Sequence, residues 1–305
     1  MHTKPIRPPD LKPGDKIGIV APARKVSREE MAPAIAILGQ WGYETVEGQH
    51  LYGDYYQFSG NDEERATDFQ AMLDDDSVKA IFCARGGYGS VRIIDRLDFT
   101  RFQEKPKWIV GYSDITVFHS HIYRHFGIQT LHAAMPINFP HELDMNISLQ
   151  SLKDVLEGGF PEYHFSSHPF NRSGKATGIL CGGNLSLLYS LSGTISDINT
   201  EGKVLFIEDL DEYLYHIDRM MMNLKRSGRL ESLAGLVVGG MNDMNDNAVP
   251  FGKTVYEIIV EAVSDYHFPV IFNFKSGHIS ENLGLIIGGH VHLVAAEQCS
   301  LVFND

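Results

Sequence analysis

The chain has 305 residues, of which 43% are hydrophobic and 21% are charged, proportions typical of a folded globular protein and not of a disordered one. At about 150 residues per domain, this length predicts two domains or one large domain. The 39 acidic and 26 basic residues leave a formal net charge of −13, without a cluster of lysine and arginine. A nucleic-acid partner is therefore not expected.

The cysteines and the termini indicate a compartment. Cys83, Cys181 and Cys299 lie far apart, and their odd number and spacing exclude a disulfide framework, so packed free thiols in a reducing environment are expected. The N-terminal segment has no apolar signal region, and no apolar run approaches the ~18 residues of a membrane span. We expect a soluble cytoplasmic protein with no membrane partner.

The first half of the chain alternates short apolar strands with amphipathic helices. Helices are predicted to begin near Ser27, near Asn61, at Ser90 and after Ser113, and Glu30 follows Ser27 at the spacing of a capping box. The predicted strands are 16–21, 44–47, 78–84, 108–111 and 128–131. This alternation predicts a parallel sheet with helices on both faces, within an α/β domain that spans residues 1–140.

The pattern changes beyond residue 140. Residues 141–175 contain a helix at about 148–156 and then a stretch rich in Gly, Pro, His and Ser, which predicts a linker. From residue 176 to 305 strands and helices are mixed, and the end of the chain contains predicted strands only. A second, mixed β/α domain is expected there. The strands predicted for it are 203–207, 236–238, 270–272, 283–287 and 290–295, and the helices are about 184–191, 213–225 and 254–264.

Two short motifs in the first half have the form of active-site loops. A predicted strand ends at Gly111, and Ser113-Asp114 stands at the turn before a helix, where the hydroxyl would be raised above the sheet and backbone amides would be free for an oxyanion. An ordinary helix N-cap would look the same. The loop of residues 85–89, Arg-Gly-Gly-Tyr-Gly, also joins a strand to a helix. Its amides, including those of Gly86 and Gly87, could hold an oxyanion or a phosphate, or the glycines could simply form a tight turn.

Two motifs in the second half place acidic and basic groups at strand ends. The predicted strand 203–207 leads into Glu208 and Asp209, at the edge of an α/β sheet where ligands usually bind, although acidic residues before a helix have the same pattern. His278 follows a glycine just after another strand and is a candidate general base. Ser113, Glu208 and His278 thus all follow predicted strands, in the order serine, acid, histidine. Together they predict a catalytic triad in a cleft between two domains.

Some of the remaining histidines have the spacing of metal ligands. His121 and His125 have the i, i+4 spacing of one helix face, and His290 and His292 point to one face of a strand. No third ligand follows from the spacing, and His141-Glu142 does not continue into a HExxH motif. We therefore expect no metal and no cofactor.

Several motifs in the same order resemble those of one peptidase family. They are Pro13-Gly14-Asp15, Arg85-Gly86-Gly87-Tyr88-Gly89, Gly111-Tyr112-Ser113-Asp114, Gly182-Gly183-Asn184-Leu185, Glu208-Asp209, Ile217-Asp218-Arg219-Met220 and Gly277-His278. The chain resembles the LD-carboxypeptidases, a family that also includes the microcin C self-immunity peptidases. The resemblance implies a flavodoxin-like N-terminal domain, a swivelling β/α C-terminal domain and a homodimer. It also implies catalysis by Ser113, Glu208 and His278, with an oxyanion hole formed by the amides of Asp114 and the Gly86-Gly87 turn.

The resemblance further implies a substrate. Family members release terminal D-alanine from murein tetrapeptides in the cytoplasm by hydrolysing an L,D-peptide bond, and this is the expected function. One alternative is a peptidase that uses the same triad to inactivate a peptidyl-nucleotide antibiotic; it would need an aromatic residue in the pocket to stack a base. Another is a two-domain module that binds a phosphate or a sugar without chemistry, which would leave the three strand-end residues unexplained.

Overall fold

The computed structural model describes residues 4–141 and 145–304, so residues 142–144 of the predicted linker lie outside the described residues. The first half contains alternating strands and helices, followed by a helix at Ile147–Leu156. They are β1 (Lys16–Val20), α1 (Arg28–Gln40), β2 (Glu44–Glu47), α2 (Asp62–Asp74), β3 (Val78–Cys83), α3 (Ser90–Ile93), α4 (Thr100–Glu104), β4 (Trp108–Gly111), α5 (Thr116–Phe126), β5 (Thr130–His132) and α6 (Ile147–Leu156).

The second half contains more strands than helices. Its elements are β6 (Glu162–Ser166), β7 (Gly174–Asn184), α7 (Leu185–Leu191), β8 (Val204–Leu210), α8 (Leu214–Arg226), β9 (Gly235–Asn242), α9 (Val255–Ala262), β10 (Val270–Ile271), β11 (Leu285–Ile287), β12 (His290–Ala295) and β13 (Gln298–Asn304). The predicted α/β class with two domains is confirmed.

Six strands of the described chain form the first sheet, in the order β11-β5-β4-β3-β1-β2. The pairs among β1 to β5 are parallel, as the alternating pattern predicts. The helices begin where the sequence indicates: Ser27 caps α1 and Asn61 caps α2, each with a complete capping box. Because the strands are parallel, their carboxyl ends meet at one edge, and the loops after β3 and β4 lie side by side there.

Seven strands of the described chain form the second sheet, in the order β10-β9-β8-β7-β12-β13-β6. Strands β7 to β10 are parallel, whereas β12, β13 and β6 pair antiparallel. Helices α7, α8 and α9 pack on this sheet through a core that includes Leu205, Ile217, Met221 and Ile258. Met220 and Met221 of α8 are fully buried in this core.

The two halves of the chain are joined by a strand pairing and by a common hydrophobic core. Strand β11 belongs to the second half of the sequence but pairs antiparallel with β5 at the edge of the first sheet. One hydrophobic cluster joins residues of both sheets, including Phe82, Val110, Leu180 and Phe206. The two sheets are therefore packed together and not merely connected by a linker.

The stretch predicted to be an irregular linker contains a strand. Residues 162–166 form β6, which pairs with β13 at the edge of the second sheet. Its side chains alternate between exposed and half-buried, as expected for an edge strand with one solvated face. The pairing partner lies more than 130 residues further along the chain, so local composition does not reveal it. No helix of the described chain is both long and apolar enough to cross a membrane.

Candidate active site

Ser113 lies on a strained turn at the carboxyl end of β4. It begins a short 3-10 turn, Ser113–Ile115, that leads into α5, and its φ of +63° is in the left-handed region. That conformation costs a non-glycine residue roughly 1–2 kcal/mol. Neither Ser113 nor Asp114 caps the helix, because the N-cap position of α5 is Ile115 and no side chain makes a cap hydrogen bond. The turn therefore presents a half-buried hydroxyl instead of using it to cap the helix.

The glycine-rich loop lies directly against this serine. A Cβ at Gly86 would be 3.0 Å from Ser113 Cβ, 3.2 Å from its Oγ and 3.3 Å from the backbone nitrogen of Asp114. Gly87, with a φ of +104°, completes the turn in a conformation that favours glycine. A side chain at position 86 would therefore crowd the Ser113 hydroxyl and the Asp114 backbone nitrogen.

Asp114 holds the two loops together. Its carboxylate is buried, and Oδ2 accepts a hydrogen bond from the backbone nitrogen of Ser90 at 2.8 Å, at the end of the glycine-rich loop. Burial raises the pKa of Asp114, against the lowering effect of this hydrogen bond. The side chain thus fixes the position of the glycine loop relative to Ser113, while the backbone amide of Asp114 stays next to the serine.

Glu208 and His278 form a hydrogen-bonded pair. Strand β8 places Glu208 fully buried, and its Oε2 lies 2.7 Å from His278 Nδ1 and accepts a second hydrogen bond from the backbone nitrogen of His278 at 3.2 Å. Burial alone would lower the pKa of His278, but the hydrogen bond and the negative charge of Glu208 outweigh it and raise this pKa above its usual value. With Nδ1 directed to Glu208, Nε2 is the nitrogen left for proton transfer.

Tyr112 brings this pair to the serine turn. Its ring centroid lies 4.8 Å from that of His278, and it immediately precedes Ser113 in the chain. Burial raises the pKa of Tyr112 to about 12, so the phenol is neutral. Glu208 and His278 are thus in direct contact, and Tyr112 links His278 to the turn that carries Ser113, whereas the described Ser113 and His278 side chains share no direct hydrogen bond. The role of Tyr112 as the contact between the two halves was missed, although its place beside Ser113 was the available signal.

Asp209 points away from His278. Its two carboxylate oxygens accept hydrogen bonds from Asn184 Nδ2 at 3.0 Å and from the backbone nitrogen of Ser186 at 2.8 Å, at the start of α7. Burial, followed by the neighbouring charge of Glu208, raises the pKa of Asp209 to about 7. Adjacent residues of a strand face opposite sides. Glu208 therefore hydrogen-bonds His278, while Asp209 hydrogen-bonds the N-terminus of α7.

A small cavity adjoins the histidine. It has a volume of about 220 Å³, and Tyr112, Asn138, Ile279, Ser280 and Asn282 are among its lining residues. The cavity extends from the Tyr112 ring to the residues that directly follow His278. Its polar amide and hydroxyl groups suit a peptide-like ligand.

The histidines weighed as metal ligands have other partners. His121 Nδ1 lies 2.8 Å from Ser196 Oγ, and His125 Nε2 lies 2.9 Å from the carbonyl oxygen of Ile195. His290 and His292 both contact Asn304. Within residues 4–141 and 145–304, no group of three or more His, Cys, Asp or Glu side chains has the geometry to hold a metal ion.

Comparisons with known proteins identify the family of this chain. Residues 17–133 match the LD-carboxypeptidase N-terminal domain, and residues 177–293 match the LD-carboxypeptidase C-terminal domain. The chain is 34% identical to a probable murein peptide carboxypeptidase of Bacillus subtilis, over 97% of this chain and 94% of that protein. It is 27% identical to the murein tetrapeptide carboxypeptidase of Pseudomonas aeruginosa, over 92% and 94% of the two chains.

Solved structures show the same fold. The crystal structure of muramoyltetrapeptide carboxypeptidase from Oxalobacter formigenes superimposes with a TM-score of 0.86 at 28% identity and covers 95% of this chain and 99% of its own. The microcin C7 self-immunity protein MccF, in complex with aspartyl sulfamoyl adenosine, has a TM-score of 0.88 at 22% identity over 99% of both chains, a likeness of fold. The fold is that of a two-domain α/β peptidase. This chain belongs to the LD-carboxypeptidase family.

Proposed function

We propose that this protein is a serine carboxypeptidase that releases terminal D-alanine from murein tetrapeptides by hydrolysing an L,D-peptide bond. The observation on which the proposal chiefly rests is the juxtaposition of the strained Ser113 turn with the Glu208–His278 pair through Tyr112. The names of the relatives from Bacillus, Pseudomonas and Oxalobacter support the substrate class.

In the proposed reaction, Ser113 is the nucleophile. Its Oγ attacks the carbonyl carbon of the scissile amide as His278 Nε2 takes the hydroxyl proton, and Glu208 stabilises the resulting imidazolium through Nδ1. The amides of Asp114 and of the Gly86-Gly87 turn stabilise the oxyanion. His278 then gives its proton to the amine of the departing D-alanine. A water molecule hydrolyses the acyl-enzyme by the same steps and releases the tripeptide product.

The test is mass spectrometry of a murein tetrapeptide incubated with the purified protein. Loss of one alanine residue supports the proposal, and an unchanged tetrapeptide contradicts it. A fluorophosphonate serine probe separates the enzyme from a binding module, because only an activated serine is labelled. Labelling that persists in Ser113→Ala would show that the nucleophile is a different residue.

The antibiotic-inactivating alternative finds no support in the tryptophans. Trp108 is fully buried, and the ring of Trp41 lies 6.2 Å from that of Phe139 in the core of the first half. Neither ring lines the cavity beside His278. Stacking of a nucleobase, which gives such ligands much of their affinity, would have to come from a different aromatic residue.

We also place the protein in the cytoplasm as a homodimer. The cytoplasmic location is supported by the three cysteines, all buried and free, as expected in a reducing compartment. The homodimer follows from the family resemblance. Cell fractionation and analytical ultracentrifugation test the two statements separately.

A further inference from the structure

A second cavity lies between the two halves of the molecule, away from the Ser113 turn. Its volume is about 280 Å³, and its walls come from residues 119–127 of α5 and its C-terminal cap, from Cys181 and Gly182 of β7, from the segment that leads into β8, and from Ile287 of β11. Neither Ser113, Glu208 nor His278 lines the cavity.

A buried lysine faces this cavity without a counter-ion. Lys203 is only 8% exposed, and its ammonium group lies 5.9 Å from the ring centroid of Tyr123. In the described chain, no carboxylate approaches it within ion-pair distance and its Nζ makes no hydrogen bond. Burial lowers the pKa of Lys203. The lysine side chain is thus largely buried, while its ammonium group has no hydrogen-bond or ion-pair partner within the described protein.

Other polar groups of the cavity favour a negative ligand. Ser120 is 4% exposed, and its Oγ is buried without a hydrogen-bond partner in the described structure. Arg124, on the next turn of α5, is exposed at the rim and close enough to lower the pKa of Lys203 further. Two cations and a free hydroxyl thus face one small space in a chain whose net charge is −13.

The neighbouring ionisable groups do not supply the missing charge. Burial raises the pKa of the Cys181 thiol to about 12 and that of Tyr123 to about 12, so both are neutral. Lys203 also lines an adjoining cavity together with Glu201, whose carboxylate lies beyond ion-pair distance of the ammonium group. The cavity therefore contains more positive than negative charge.

We propose that this cavity binds a small oxyanion of the phosphate class, held by the Lys203 ammonium and the Ser120 hydroxyl, with Arg124 at the entrance. Charge-assisted hydrogen bonds from lysine and arginine are the usual means of holding phosphate. A bound anion would join α5 of the first half to the start of β8 in the second half.

Isothermal titration with inorganic phosphate at constant ionic strength tests the site. We expect saturable binding to the wild type, weakened at least about tenfold in Lys203→Met by loss of the charged partner and several-fold in Arg124→Gln. Arg124 is exposed, so its variant keeps the test decisive even if Lys203→Met folds poorly. Lys225→Met is the matched control, since Lys225 forms an ion pair with Asp265 elsewhere.

Three results would overturn the proposal. They are the absence of saturable phosphate binding in the wild type, equal affinity in the wild type and Arg124→Gln, and a change of oligomeric state in Arg124→Gln without phosphate binding. The last result would mean that a second copy of the chain supplies the counter-ion.

A second inference, which rests on the proposed function, concerns how the peptidase site recognises the free C-terminus of its substrate. Arg24 lies against the glycine turn: its backbone nitrogen donates to the carbonyl oxygen of Gly86 at 3.4 Å, and a Cβ at Gly87 would be 2.8 Å from Arg24 Nε. Since Gly86 lies against Ser113, the Arg24 side chain packs on the same glycine turn that borders the proposed nucleophile.

The other cations near these loops are already paired. Arg85 lies 3.7 Å from Glu30, Lys25 2.5 Å from Asp54, and Lys275 2.5 Å from Glu281. Arg65 is buried and hydrogen-bonds the carbonyl oxygens of Gly60 and Gly89. Arg24 is exposed and has no carboxylate partner among the described residues. We infer that Arg24 binds the terminal carboxylate of the substrate.

The experiment compares a tetrapeptide with a free C-terminal carboxylate and the same peptide with a C-terminal amide. In the wild type the acid should be preferred, and Arg24→Gln should lower kcat/KM for the acid about tenfold or more, mainly through KM, with little change for the amide. Lys25→Gln is the neighbouring control and should keep the preference.

The outcomes separate this inference from the function on which it rests. If the wild type cleaves neither peptide, the proposed function fails. If it cleaves both equally, or if Arg24→Gln slows both by the same factor, the peptidase remains and the assignment of Arg24 is wrong.

Discussion

At the scale of single residues, Ser113 combines a reactive position with an unfavourable backbone. Its φ of +63° is tolerated because the glycine loop and the Asp114 hydrogen bond surround the turn. Such strain is common where a side chain must be presented to a substrate. It follows that the hydroxyl and the stability of the turn can be tested separately.

Two substitutions of Ser113 make this test. Ser113→Ala should lower kcat by roughly 10⁴-fold or more, because no other group in the proposed mechanism can form the acyl-enzyme. Ser113→Gly should be equally inactive but raise the free energy of unfolding by about 1 kcal/mol, because glycine adopts this φ without strain. Peptide assays and urea unfolding measure the two effects. A glycine variant no more stable than the alanine variant would show that the turn is not strained.

The Glu208–His278 pair predicts a direction in the pH profile. His278 must be neutral to take a proton, so kcat/KM should rise with pH through its pKa, which Glu208 raises above the usual ~6.5. In Glu208→Gln the raising charge is gone and burial remains, so the acidic limb should move to lower pH while kcat falls roughly 10³- to 10⁴-fold. A pH series on both proteins measures the shift.

Asp209→Asn is the control for this prediction. Asp209 hydrogen-bonds Asn184 and Ser186 and not His278, so its variant should keep most of the activity and shift the acidic limb far less. If Asp209→Asn lost most of its activity while Glu208→Gln kept nearly all of it, the roles assigned to the two faces of β8 would be reversed.

At the scale of elements, the turn after β10 positions His278 to hydrogen-bond the Glu208 carboxylate. Gly277 has a φ of +109°, and a Cβ there would lie 2.7 Å from Glu208 Oε2. Position 277 requires glycine for two reasons. Its positive φ disfavours other residues, and the Glu208 carboxylate occupies the space that a Cβ would need.

Gly277→Ala should therefore damage both stability and catalysis. Gly252→Ala is a matched control, because Gly252 also has a positive φ, +84°, but a Cβ there would meet nothing within 4 Å. Both variants should lose about 1 kcal/mol of unfolding free energy from backbone strain. Only Gly277→Ala should also lose activity, at least about tenfold, as Glu208 is displaced. Equal activity of the two variants would contradict the close contact at Gly277.

At the scale of the whole molecule, the two halves of the chain depend on each other. Strand β11 follows His278 in the sequence but completes the first sheet beside β5. Helix α6 is tied to the same region, since Ser148 Oγ accepts a hydrogen bond from the backbone nitrogen of Asn282 at 2.8 Å. A first domain without these later residues would expose the edge of β5 and part of its core.

We therefore expect one cooperative unfolding transition. Both tryptophans, Trp41 and Trp108, belong to the first half, so their fluorescence follows that half alone, whereas far-ultraviolet circular dichroism follows the whole chain. The two denaturant curves should coincide, and a fragment of residues 1–140 should not fold stably. Separate midpoints for the two probes would show that the halves unfold independently.

The sequence by itself determined the parts of this protein that depend on local pattern. Alternating apolar runs predicted the parallel first sheet, and Ser27 and Asn61 marked their helices because capping needs only residues three positions apart. The order of Ser113, Glu208 and His278 suggested a triad, since strand-end residues of α/β sheets collect at one edge, and the resemblance of their motifs indicated the peptidase family.

Only the tertiary structure decided the features that depend on distant pairing. Strand β6 was hidden in a stretch that looks like a linker, because its partner β13 lies at the other end of the chain. The pairing of β11 with β5, the contact of Tyr112 with His278, and the cavity lined by both Lys203 and Ser120 all bring together segments far apart in sequence. Composition and periodicity act over a few residues, whereas these contacts depend on how two packed sheets close against each other.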